Sequence, residues 1–296
     1  MEVGAPAILV ENAGTLCEGP VWDERTGLLH WVDILAGRIL ATDPASAEPA
    51  AEQESWQLDW PVGAIAPRAA GGWVAAVERG FASFSADWEQ LGDVTPAPGQ
   101  GAGTRFNDGK CDPAGRFWAG TMAYAGTPGA GCLYRMDPDG TVTSVLDGAT
   151  VSNGLGWSPD GGTMYYVDTA RGTLDAMDFD GDSGTPSNRR TVVSVPVEEG
   201  APDGMTIDAD GYLWVALWDG GAVRRYTPEG ELVATVTLPV SRVTSMAFGG
   251  SELGELFITT ASDGLDERRL AEQPLAGSLF RCTPGVRGMQ PAAFVG

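Results

Sequence analysis

The chain has 296 residues, of which 43% are hydrophobic, and it carries 18 Lys and Arg against 40 Asp and Glu, so its net charge is 18 − 40 = −22. Such an excess of negative charge repels nucleic acid and anionic membrane surfaces, and we expect neither as a partner. The sequence has no run of about 18 apolar residues, which argues against a transmembrane helix. It also lacks a basic and then apolar leader, and its four cysteines form no C-x-x-C pair. We therefore expect free thiols and a cytoplasmic protein.

One sequence phrase recurs six times along the chain: a short strand, a tight turn rich in Asp and Gly, and then an aromatic strand. The clearest copy is residues 152–168, SNGLGWSPDGGTMYYVD. In register, the copies begin at residues 18, 62, 107, 153, 203 and 244, in steps of 44, 45, 46, 50 and 41 residues. A period of roughly 40–50 residues with several short strands per unit is typical of a β-propeller blade. Because no long helical pattern interrupts the repeats, the sequence predicts an all-β, six-bladed β-propeller that forms a single domain over residues 1–296.

The two ends of the chain suggest how the ring closes. Residues 6–11 alternate as an edge strand, and residues 291–295 form a short apolar segment. We expect both segments in one blade, because a propeller hides its edges when one blade takes strands from both termini. Residues 45–55 and 181–190 are predicted to be surface connections.

The first residue of each copy points to a function. The six occupants of this position are Glu18, Val62, Asn107, Asn153, Asp203 and Thr244. The innermost strand of every blade lines the central channel, so Glu18, Asn107, Asn153 and Asp203 are expected to converge from four blades. Carboxylate and amide oxygens suit a hard divalent cation. The alternative is that each residue caps its own turn, as Asn and Asp often do.

The sequence excludes several kinds of catalysis. The only histidine, His30, lies in a predicted strand, where it is expected to pack rather than to catalyse. No G-x-S-x-G elbow, H-E-x-x-H pair, phosphate-binding loop or dinucleotide fingerprint is present. Any chemistry must therefore come from a metal and carboxylates.

Several motifs resemble those of the regucalcin (senescence marker protein)/gluconolactonase family. They are RFNDGK at 105–110, DPAGR at 112–116, AGTM at 119–122, CEGP at 17–20, SNGL at 152–155, PDG at 202–204 and TSMAFG at 244–249. The resemblance implies a six-bladed propeller with one catalytic divalent metal ion, which hydrolyses a sugar lactone, a small-molecule substrate, to the aldonic acid. It implies that Glu18, Asn153 and Asp203 are the metal ligands and that Arg105 and Asn107 bind substrate. Asp203 is predicted to act also as the general base that activates water. Oxygen ligands accept Ca²⁺, Mn²⁺, Mg²⁺, Fe²⁺ or Zn²⁺.

The sequence departs from this family directly after the AGTM motif. Many relatives carry acidic residues there that bind the sugar, whereas residues 123–129 read AYAGTPG, with no carboxylate. Tyr124 is predicted to supply a hydroxyl or a stacking face to the substrate, or simply to pack at the rim. Two other functions stay open: a metal-dependent phosphotriesterase or arylesterase, and a non-enzymatic propeller that binds a cation or a protein.

Overall fold

The computed structural model describes residues 4–46 and 53–296, and this part of the chain forms six four-stranded antiparallel sheets arranged as a β-propeller. The predicted fold class is therefore confirmed. The first strand, β1 (Ala7–Val10), belongs to the sixth blade, which β22–β24 complete. The strands of blades 1 to 3 are β2 (Cys17–Asp23), β3 (Leu28–Asp33), β4 (Arg38–Thr42), β5 (Glu54–Gln57), β6 (Val62–Pro67), β7 (Trp73–Val77), β8 (Gly80–Phe84), β9 (Gln90–Pro96), β10 (Thr104–Cys111), β11 (Phe117–Ala123), β12 (Gly131–Met136) and β13 (Val142–Ala149). The strands of blades 4 to 6 are β14 (Ser152–Trp157), β15 (Thr163–Asp168), β16 (Thr173–Asp180), β17 (Thr185–Ser194), β18 (Ala201–Ile207), β19 (Leu213–Trp218), β20 (Ala222–Tyr226), β21 (Leu232–Thr237), β22 (Val243–Gly249), β23 (Glu255–Thr260) and β24 (Leu279–Cys282).

The sixth blade closes the ring with strands from both ends of the chain. Its order is β1-β24-β23-β22, so the amino-terminal strand is the outermost one, as predicted. The prediction that residues 291–295 join this blade is wrong. That segment instead crosses the lower end of the propeller, where Phe294 forms a parallel bridge with Arg68 of blade 2 and the Val295 amide donates to the Gly115 carbonyl of blade 3. Strand β24 already occupies the place beside β1, so the tail is left to cover the channel.

All six inner strands, β2, β6, β10, β14, β18 and β22, carry a register irregularity where the repeat begins. In four blades it lies between Glu18 and Val21, Phe106 and Gly109, Ser152 and Leu155, and Pro202 and Met205. A bulge re-aims a side chain and increases local twist. Glycine accompanies it because the next blade lies close: a Cβ on Gly154 would lie 2.6 Å from the Asp203 carbonyl oxygen, and one on Gly204 would collide with Ser245.

Buried carboxylates hold the lower turns of two blades. Asp112, in the turn after β10, accepts the indole N–H of Trp118 at 3.0 Å and pairs with Arg116 at 2.9 Å. In blade 5, Asp208 accepts the indole N–H of Trp214 at 2.9 Å and pairs with Arg225. Both carboxylates also accept backbone amides of their own turns. In each blade, the hydrogen bond between this Asp and the Trp six residues later thus joins the turn to the strand that follows it.

The remaining predictions on the chain have mixed outcomes. Part of the 45–55 connection, residues 47–52, lies outside the described residues. Residues 185–190 are not a loop but the first part of outer strand β17. All four cysteines are free and buried, as expected. No helix among residues 4–46 and 53–296 is long and apolar enough to cross a membrane.

Candidate functional site

The site lies in the channel at the upper end of the inner strands, where each repeat begins. Glu18, Asn107, Asn153 and Asp203 start the corresponding segments of β2, β10, β14 and β18, and all four side chains are buried. The other two residues of this position are used differently. Val62 belongs to an apolar cluster, and the Thr244 hydroxyl lies 2.6 Å from the Cys17 carbonyl, to which it donates. The register predicted from the sequence is therefore the register of the fold.

Asn153 and Asp203 are in direct contact. The Asn153 Nδ2 group donates to Asp203 Oδ1 and also to the Thr169 hydroxyl at 2.9 Å. These two hydrogen bonds occupy the Nδ2 group of Asn153 and fix the orientation of the amide. Asn153 Oδ1 is fully buried and has no hydrogen-bond partner among the described residues. A buried acceptor without a donor costs free energy, and a bound cation would supply the missing partner.

Negative charge accumulates around this pair. Burial, followed by the negative charges of Asp203 and Asp108, raises the pKa of Glu18 well above its usual range. Burial and then Asp108 likewise raise the pKa of Asp203 well above the ordinary value for Asp. In both cases the nearby Arg105 charge lowers the pKa but does not outweigh burial and the neighbouring carboxylates, so more positive charge would stabilise the ionised forms. A divalent cation would provide it.

Asp108 is a member of this cluster that the sequence reasoning missed. The residue after each repeat's first position is Gly19, Gly63, Asp108, Gly154, Gly204 or Ser245. Asp108 thus stands where four of the other five blades have glycine and the fifth has serine. Burial raises its pKa, and the ammonium of Lys110 opposes that rise. The sequence did contain a signal for Asp108, because it is the one acidic residue at a repeat position where the other residues are Gly or Ser.

Lys110 lies in the channel below the carboxylates. Its ammonium donates to the Met205 carbonyl of blade 5 at 2.8 Å, so its side chain crosses from one blade towards another. Burial lowers its pKa, and the charge of Asp108 works against this effect. Lys110 therefore offsets part of the negative charge of Asp108.

Arg105 and Asn107 form a fixed pair beside the carboxylates. Arg105 Nη1 donates to Asn107 Oδ1 and to the Phe106 carbonyl, each at 2.9 Å. Asn107 Nδ2 donates to the Ser152 carbonyl of blade 4 at 3.1 Å. Arg105 is 6% exposed, and burial lowers its pKa while the neighbouring Tyr124 and Glu18 oppose that effect. The guanidinium is thus a rigid positive group next to the channel.

Tyr124 lies at the channel mouth rather than in the cluster, and its side chain is 47% exposed. It follows β11 at the upper end of blade 3, and its hydroxyl donates to Glu78 Oε1 of blade 2 at 3.1 Å. Glu78 lies in the connection between β7 and β8, which carries no motif that could have pointed to it. On the opposite side, the long connection between β23 and β24 contains the short helix α1 (Glu267–Glu272).

The donor set fits a hard cation of the divalent class. Glu18 and Asp203 offer carboxylate oxygens, and Asn153 offers the buried Oδ1 that has no partner in the described chain. Within residues 4–46 and 53–296, no three His, Cys, Asp or Glu side chains are arranged to hold a metal by themselves. A three-ligand set at this place therefore includes the amide oxygen. An all-oxygen set favours Ca²⁺, Mg²⁺ or Mn²⁺ over metals that prefer sulfur or nitrogen.

Below the cluster, the channel widens into a cavity of about 260 Å³. Its walls are mostly apolar and include Trp22, Trp157 and Phe248. The carboxy-terminal tail contributes residues 289–292 to its lower side. The tail thus covers part of this end of the channel.

Comparisons with known proteins show the family and agree with the propeller fold. A sequence model of the SMP-30/gluconolactonase/LRE-like region matches residues 16–262. Regucalcin of Xenopus laevis is 40% identical over 295 residues, which cover 97% of each chain. Regucalcin from Agrobacterium tumefaciens, described as a calcium-binding protein, superposes with a TM-score of 0.92 at 28% identity and covers 98% of this chain and 97% of that one. A luciferin-regenerating enzyme superposes with a TM-score of 0.87 at 31% identity over 98% of this chain and 100% of that one.

Proposed function

The chain belongs to the SMP-30/gluconolactonase/LRE-like family, with a lactonase-type function, and from that premise we propose that it is a divalent-metal-dependent hydrolase that opens sugar lactones to aldonic acids. The observation that carries this proposal is the buried cluster of Glu18, Asn153 and Asp203. It combines excess negative charge with an amide oxygen that has no partner in the described residues. A turn-capping role leaves that oxygen without a purpose.

In this proposal Glu18, Asn153 and Asp203 hold one divalent ion. The description of the Agrobacterium tumefaciens relative as calcium-binding favours Ca²⁺, while Mn²⁺, Mg²⁺, Fe²⁺ and Zn²⁺ fit the oxygen ligands as well. When bound, such an ion polarises a carbonyl oxygen and lowers the pKa of water. Two carboxylates neutralise its charge, and the amide oxygen adds a neutral ligand.

The side chains around this position divide the remaining work. Asp203 takes the proton of the attacking water, because its carboxylate is held by Asn153 at the centre of the cluster. Arg105, fixed by Asn107 and the Phe106 carbonyl, faces the negative charge that develops on the lactone oxygen. Asn107 keeps a second amide hydrogen with which to orient the ring. Water adds to the carbonyl carbon, the ring C–O bond breaks, and the released alkoxide takes up the proton to give a hydroxy acid.

The mouth favours a hydroxylated lactone over an aryl ester or a phosphotriester. Its nearest side chains are Arg105, Glu78 and Tyr124, two of which are charged. An apolar aryl group would displace water from these polar groups without offering them further hydrogen bonds, at a cost in binding free energy. We therefore propose the phosphotriesterase or arylesterase function only as the second candidate. We further propose that the protein is cytoplasmic and acts in carbohydrate metabolism, since all four of its thiols are free.

A pH-stat assay tests the proposal. Purified protein is treated with a chelator, reloaded with each of the five metals, and supplied with a panel of aldonolactones and with phenyl acetate. We expect acid release from the lactones only after metal is restored, and Asn153→Ala should bind the metal more weakly. Turnover that persists fully after metal removal, or phenyl acetate as the best substrate, would refute the proposal.

A further inference from the structure

The pair formed by Glu78 and Tyr124 joins two blades at the channel mouth. Tyr124 follows β11 of blade 3, and its hydroxyl donates to the Glu78 carboxylate, which follows β7 of blade 2, at 3.1 Å. Partial burial and the nearby Glu78 charge raise the pKa of the Tyr124 phenol, so it stays a hydrogen-bond donor. The Glu78 carboxylate therefore lies at the channel mouth with the Tyr124 hydroxyl as a hydrogen-bond donor on one side.

Both residues are held by the backbone. The Glu78 amide donates to the Pro61 carbonyl at 3.0 Å, and its carbonyl accepts Gln100 Nε2 at 2.7 Å. The Tyr124 amide donates to the Gly103 carbonyl at 3.0 Å. Because the backbone of both residues is fixed and the Tyr124 hydroxyl holds the carboxylate, the pair loses less conformational freedom when it binds a ligand.

Position and chemistry make Glu78 suitable for recognising hydroxyl groups. Arg105, beside the carboxylate cluster, pairs across the β10–β11 ladder with Met122, two residues before Tyr124, so the pair adjoins the reaction site. A carboxylate has about four acceptor positions, and Tyr124 occupies one of them. The half-exposed Tyr124 ring also offers a flat face to the C–H groups of a sugar ring.

We propose that Glu78 is the specificity-determining carboxylate of this site: it accepts hydrogen bonds from the hydroxyl groups of a polyhydroxylated lactone, and Tyr124 positions it. The proposal rests on the function proposed above and names its substrate class. It also accounts for residues 123–129, which contain no acidic side chain of their own. The neighbouring blade supplies that acid instead.

The test compares two lactones with the same six-membered ring. D-Glucono-δ-lactone carries hydroxyl groups, whereas δ-valerolactone carries none. For metal-loaded Glu78→Gln, the ratio of kcat/KM on gluconolactone to kcat/KM on valerolactone should fall about 10- to 100-fold, because a hydrogen bond to a charged group is lost. The fall should appear mainly in KM for gluconolactone. Tyr124→Phe, which keeps the ring, should lower the ratio less, and Glu78→Asp should give an intermediate value.

The matched control is Glu198→Gln, the same change at an exposed site before β18. Thermal melting and metal content confirm that each variant is folded and loaded. A ratio unchanged in Glu78→Gln, or rates lowered equally on both lactones, overturns the role of Glu78 while the lactonase function stands. Wild-type protein that opens neither lactone with any metal removes the proposed function and this proposal with it.

Discussion

The only histidine of the chain makes a sharp prediction about stability and pH. His30 lies in β3, is 4% exposed and packs its ring 4.3 Å from that of Trp73, with Trp56 and Trp88 farther away. Its Nδ1 atom is buried without a partner in the described residues. Burial lowers the pKa of His30 from 6.5 to about 4, so the folded protein holds the imidazole neutral.

The sign and size of the effect follow from proton binding. Between pH 6.5 and about 4 the unfolded chain binds a proton at His30 and the folded chain does not, so the free energy of unfolding falls as the pH falls. At roughly 1.4 kcal/mol per pH unit, this difference corresponds to about 3 kcal/mol. For a chain of this size that is a decrease in Tm of roughly 5–10 °C.

The variant His30→Phe keeps an aromatic ring beside Trp73 and removes the titration. We expect the Tm of wild-type protein to fall more steeply than that of His30→Phe between pH 7 and pH 4, and the two curves to be parallel above pH 7. Subtracting one curve from the other cancels the carboxylates, which titrate in both proteins. NMR of the single histidine gives its pKa directly. Parallel curves down to pH 4, or a histidine pKa near 6.5, would refute the reasoning.

Two further predictions concern the channel and one of the turns below it. Asp203→Asn should lose about 10²–10⁴-fold in kcat on a lactone even at saturating metal, because it loses a general base. Glu18→Gln should instead show weaker metal binding that excess metal partly restores; equal rescue of both variants in titrations of activity against metal would show that Asp203 is only a ligand. Asp208→Ala should lower the free energy of unfolding by about 3–5 kcal/mol, because Arg225 and the Trp214 indole lose their buried partner. Denaturant unfolding measures this, and a loss below 1 kcal/mol would contradict it.

The sequence predicted the fold well because a propeller repeats. The period set the number of blades, and the first position of the repeat predicted which side chains line the upper channel. The features that the sequence did not predict depend on contacts that do not recur from blade to blade. Glu78 contacts Tyr124 of another blade, and the tail at residues 291–295 binds turns of blades 2 and 3 because β24 already pairs with β1. Neither contact leaves a pattern in the chain.

The same repeat explains why a symmetric ring carries an asymmetric site. Each inner strand bulges at its first position, so every blade offers one side chain to the upper channel or to its neighbour. Val62 and Thr244 use that place for packing and for a bond to the adjacent strand, while the four polar residues are left in the other blades. Asp108 then breaks the column of small residues, and its charge is offset from below by Lys110. Two cationic side chains, Lys110 and Arg105, thus face three buried carboxylates. The negative charge that remains supports the metal ion proposed for this site.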